Sequence, residues 1–121
     1  MTAISHIIKD IHIEQFKKDG VVLIKNAFSN EWLKKLEIGI EKNMQNPSKY
    51  ADLLNNDNNN PNSPKFFGDY CNWKNIKEFK DVIYNSPAAL IASKLMESNK
   101  AIFYHEHVLG KSQNYLLFGL K

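Results

Sequence analysis

The chain has 121 residues, 43% of them hydrophobic and 24% charged, enough for one core but too few for two independently folding domains. That balance excludes fibrous and wholly disordered classes, and no window approaches the roughly 20 apolar residues of a membrane span. The net charge of +3 comes from sixteen lysines scattered along the chain, with no arginine, whereas nucleic-acid binders cluster their positive charge and use the arginine fork.

The first predicted helix runs from about Asp10 to Lys18, with Phe16 on its apolar face and Gly20 placed for a left-handed C-cap. The β-branched run Val21-Val22-Leu23-Ile24 then predicts a short buried strand. Ser29 is a good N-cap for a second helix extending to Gln45, closed by Pro47. Trp32, Leu36, Ile40 and Met44 recur every four residues along it, with Leu33 beside them, as one apolar stripe. Gly39 inside this helix costs about 1 kcal/mol relative to alanine.

Residues 46–64 change character. The tract Asn55-Asn56-Asp57-Asn58-Asn59-Asn60, bracketed by Pro47, Pro61 and Pro64, predicts a long mobile loop. An extended aromatic segment follows at Lys65 to Tyr70, ending near Trp73. Helices are expected over 75–84, carrying Ile76, Phe79 and Ile83, and from Ser86-Pro87 to about Ser98. Residues 101–109 form the clearest strand, and the tail from Gly110 to Lys121 is ambiguous.

Candidate chemistry is sparse. His105 and His107, two apart on a predicted strand, project from one face as a bidentate pair must. An ordinary exposed or half-buried strand face is the better account of them, and a cupin-like site fails on ligand count, because Val108 to Lys111 supplies no carboxylate and stable sites need three or four ligands. Cys71, the single cysteine, excludes an internal disulfide and reads as a small packed residue at the edge of an aromatic cluster. With no basic n-region or apolar h-region at the start, a reducing cytoplasm is the expected compartment. Asp69 and Glu106 show no pairing that spacing alone reveals.

The segment Phe16 to Asn26 resembles the opening block of the phytanoyl-CoA dioxygenase family. Similar blocks follow in the family's order: Lys65 to Tyr70 with Trp73, Asn85 to Ala89, and Phe103 to Leu109 with Lys111. The resemblance covers roughly residues 11 to 111. It implies an α+β chain: N-terminal helices plus the first strands of a double-stranded β-helix, or jelly roll. Such a barrel would be incomplete here, since about eight strands close one and three are expected, at 21–24, 65–70 and 101–109.

Members of that family are iron(II)- and 2-oxoglutarate-dependent oxygenases with two histidines and a carboxylate on the metal, hydroxylating small organic substrates. By resemblance His107 contacts 2-oxoglutarate and Lys111 closes the same block near the barrel rim. His105 matches a family histidine to which no role is assigned. No H-x-D motif occurs in the chain, no histidine follows His107, and the family's arginine for the distal carboxylate is missing. Residues 1–121 therefore read as one partial domain, the N-terminal part of such an oxygenase, shortened by truncation, a frameshift or an incomplete gene model. Alone it is expected to be inactive and to bind neither iron(II) nor 2-oxoglutarate. A small non-enzymatic binding or interaction domain on the same scaffold is the alternative from another class. Neither nucleic acid nor a membrane is an expected partner.

Overall fold

The computed structural model describes residues 6–51, 66–111 and 115–120. Four α-helices, α1 (Asp10–Asp19), α2 (Asn30–Gln45), α3 (Lys77–Asn85) and α4 (Ala88–Leu95), accompany three strands, β1 (Phe66–Tyr70), β2 (Glu106–Lys111) and β3 (Tyr115–Leu120). A 3-10 turn at Trp73–Asn75 precedes α3. The class is mixed helix and strand. The described residues fall into two compact units, Met1–Lys35 with Asp81–Phe103, and Leu36–Lys80 with Tyr104–Lys121. No helix among the described residues is long and apolar enough to cross a membrane.

In the first unit α1 packs against α4, and Lys17 pairs with Glu97. Gly20 takes φ +72° and its N–H closes the helix on the Phe16 carbonyl at 2.8 Å, as a glycine without a Cβ readily does. Ser29 accepts the Trp32 N–H on its hydroxyl at 3.4 Å, capping α2. The Ser86 hydroxyl accepts the Ala88 N–H at 3.3 Å at the start of α4, while donating to the Val82 carbonyl. That helix stops at Leu95, three residues before the expected Ser98, and Glu97 turns to φ +50°.

Residues 21–24 are not a strand. Val21 and Leu23 are 66% and 75% exposed, and the run has no partner strand among the described residues. β-branched residues favour extended backbone, but a strand exists only where a neighbouring edge supplies its hydrogen bonds.

The second unit is built on a three-stranded antiparallel sheet in the order β1-β2-β3. Its first ladder runs from Phe66 opposite Lys111 to Tyr70 opposite His107, and the second from Glu106 opposite Leu120 to Lys111 opposite Tyr115. Strand β2 thus begins at Glu106 rather than near 101, and the ambiguous tail supplies the third strand.

One sheet face carries Val108 into a core with Ile40, Ile76 and Phe79, flanked by Leu36, Phe67 and Trp73. The buried line of α2 is Gly39, Ile40 and Asn43, while Met44 and Leu33, expected in the stripe, are 46% and 52% exposed. Residues 52–64 of the expected mobile loop lie outside the described residues. Ser48 to Ala51 form a turn, with the Ala51 N–H on the Ser48 carbonyl at 3.1 Å.

Candidate functional site

Alternation along β2 sends neighbouring residues to opposite faces. His107 and its cross-strand partner Tyr70 share the face opposite the core. Their rings meet edge-on, centroids 5.7 Å apart, and His105 approaches the same tyrosine at 6.4 Å. Tyr50 stacks on Tyr70 at 4.9 Å, and the Lys49 ammonium lies 5.0 Å from the Tyr50 ring. Tyr104 sits edge-on to His105 at 4.7 Å. Both histidines of the pair foreseen at spacing two thus approach Tyr70, half-buried beside an exposed aromatic patch, but His105 precedes β2 and only His107 stands on the strand. Such a patch offers imidazole nitrogens and phenol hydroxyls as hydrogen-bonding groups, with ring faces for apolar contact.

The other face holds polar groups instead of a purely apolar interior. Asp69, opposite Val108, is fully buried. Its carboxylate accepts the Ser48 N–H at 2.8 Å, the Ser48 hydroxyl and the Tyr70 N–H at 2.8 Å. Glu106, on the same face as Val108, accepts the backbone N–H of Asn72. The Asn72 side chain then donates to Asn43 Oδ1 at 2.9 Å and the Asn46 carbonyl at 3.1 Å, and accepts from Asn75 at 2.9 Å. Asn43 Nδ2 and Glu106 Oε2 are buried with no hydrogen-bond partner among the described residues.

The period-two pattern around His105-Glu106-His107 contained the signal that Glu106 faces inward with Val108. Nothing in the spacing of Asn43, Ser48, Asp69 and Asn72 shows that they meet, since their partners lie 21 to 34 residues apart.

Cys71 corrects its sequence reading: it is exposed, at φ +59°, with its N–H on the Glu106 carbonyl at 3.3 Å. A residue between a strand end and a 3-10 turn must reverse the chain, and here that geometry turns the thiol outward. Lys111 ends β2 opposite Phe66. His12 lies on α1 in the first unit, its Nδ1 accepting the Lys9 N–H at 3.1 Å.

Among the described residues no group of three His, Cys, Asp or Glu side chains is arranged to hold a metal ion. The two half-buried histidines face Tyr70, while Asp69 and Glu106 point to the opposite face and are engaged there. This donor set does not fit a centre of two histidines and one carboxylate. Comparison with known proteins returns no match, neither a protein family nor a curated protein nor a solved structure.

Proposed function

We propose that these residues form the N-terminal part of an oxygenase of the phytanoyl-CoA dioxygenase type, whose intact form hydroxylates a small organic substrate with iron(II) and 2-oxoglutarate. The observation that carries the reading is the β1–β2 ladder. The two blocks that resemble the family on either side of the Asn-rich tract, Lys65 to Tyr70 and Phe103 to Lys111, pair with each other from Phe66–Lys111 to Tyr70–His107. In a jelly roll one sheet face is covered by helices and the other lines the barrel. Val108 packs with Ile40 and Phe79 from helices α2 and α3, and His107 stands with Tyr70 on the opposite face, which is consistent with the 2-oxoglutarate contact that the resemblance implies.

Because the donor set does not fit iron(II), no oxidation step is assigned to this chain. Its own contribution is the sheet, the buried polar brace behind it and His107 as a hydrogen-bonding group.

The test has two arms. The coding sequence after Lys121 is expected to contain an H-x-D motif and a later histidine, in this or another reading frame. The chain extended by that sequence should yield succinate from 2-oxoglutarate in an oxygen- and iron(II)-dependent way, while the 121 residues alone yield no more than a heat-killed control. A single tight iron(II) or zinc site on the 121-residue chain, abolished by His105→Ala or His107→Ala alone, would replace this reading with a cupin-like metal protein. An extended chain with neither motif nor turnover would leave the non-enzymatic binding domain as the better account.

A further inference from the structure

We propose that a cavity in the first unit, beside the start of α1, binds a small organic anion carrying a short aliphatic portion. The space measures about 460 Å³, within the roughly 300–1,000 Å³ of small-molecule sites. Ile7, Leu23 and Ile24 supply its apolar lining, and Lys9, Lys25, His12, His6 and Asn26 its polar lining. None of the eight lining residues is acidic, and Asp10, the first residue of α1, is not among them.

The ion pairs of the described residues join Lys17 to Glu97, Lys35 to Asp81 and Lys42 to Glu78, leaving Lys9 and Lys25 outside them. Because His12 Nδ1 accepts the Lys9 N–H, the neutral ring carries its proton on Nε2, which is then a donor. Two lysines and an imidazole N–H, with no acidic residue beside them, give the lining a surplus of donors and of positive charge, matched by a carboxylate.

The aliphatic half of the inference rests on residues 21–24. This run is apolar yet pairs with no strand among the described residues, and Leu23 is 75% exposed while lining the cavity. An inorganic anion alone would leave that surface wet. An alkyl chain beside the carboxylate covers it, at about 25 cal/mol per Å² of apolar area removed from water.

The test titrates the whole protein with hexanoate, inorganic phosphate and 1-hexanol, following backbone amide resonances. Hexanoate is expected to shift the amides of Lys9, His12, Leu23 and Lys25 saturably. Phosphate and hexanol, each meeting half of the lining, should bind at least about tenfold more weakly, the weight of one charge-assisted contact or a few buried methylenes. Lys9→Gln, Lys25→Gln and Leu23→Ser should each weaken hexanoate by about the same factor. Lys17→Gln, whose native ammonium is paired with Glu97, should leave it unchanged. All four substituted side chains are exposed, so the variants keep the wild-type spectrum elsewhere. Absence of a saturable hexanoate shift overturns the proposal. So does wild-type affinity in both lysine variants, or phosphate binding as tight as hexanoate.

Discussion

Gly39 of α2 lies directly against the ring of Phe79 in α3: a Cβ built on Gly39 would stand 2.7 Å from Phe79 Cε1 and 2.8 Å from Cδ1. This close approach brings Ile40 and Phe79, 2% and 4% exposed, into one core with Ile76 and Val108. The glycine that costs the helix about 1 kcal/mol in propensity is what lets the two helices approach.

Gly39→Ala should therefore destabilise the protein although it improves helix propensity. Overpacking typically costs about 1–3 kcal/mol, and the propensity gain returns about 1, leaving a net loss of about 1 kcal/mol. Urea denaturation measures it. A midpoint at or above wild type would mean that the Phe79 ring moves aside freely.

Asn72 joins Glu106, Asn43, Asn46 and Asn75 in one buried set of hydrogen bonds. Asn72→Ala removes the side-chain bonds and strands Asn43 Oδ1, which already sits beside an unpartnered Nδ2. Each buried polar group left unpaired costs about 1–3 kcal/mol, so the variant should lose about 3 kcal/mol in the same assay. A loss under about 0.5 kcal/mol, the level of an ordinary surface change, would show that water replaces the amide.

The exposed Cys71 thiol should react with a disulfide reagent in the native protein, without denaturant. Cys71→Gly should also raise stability by about 0.5–1 kcal/mol, because a left-handed conformation strains any residue with a Cβ by about 1–2 kcal/mol. Reaction only after unfolding would restore the packed reading of this residue.

Lys42 donates to Glu78 and holds its carboxyl below the usual 4.5, the hydrogen bond being the chief cause. A carboxyl depressed on folding adds stability that is complete above the unfolded value and is lost as pH falls through the lower folded one. Lys42→Met should cost about 0.5 kcal/mol at pH 7, since half of the Lys42 side chain is in water. The difference from wild type should vanish below the depressed value. An equal difference at pH 7 and pH 2.5 would assign the effect to packing instead.

Local chemistry in the sequence accounts for the elements that need only their own residues. Gly20 ends α1 with its positive φ, Ser29 opens α2 and the Ser86 hydroxyl opens α4, because caps involve atoms within four residues of one another. His105 and His107 both approach Tyr70, as their spacing suggested, although His105 precedes β2 and only His107 stands on the strand.

What depends on partners distant in the chain was decided only by the tertiary structure. Val21 to Ile24 has the composition of a strand and finds no edge to join among the described residues, while Tyr115 to Leu120 gains one from β2. Asn43 displaces Met44 from the buried line of α2 because Asn72, 29 residues away, offers it a hydrogen bond. Asp69 and Glu106 are buried because Ser48 and Asn72 present N–H groups to them. A carboxylate can leave water only where such donors converge, and convergence of donors 21 and 34 residues away is a property of the fold, carried by no local pattern of residues.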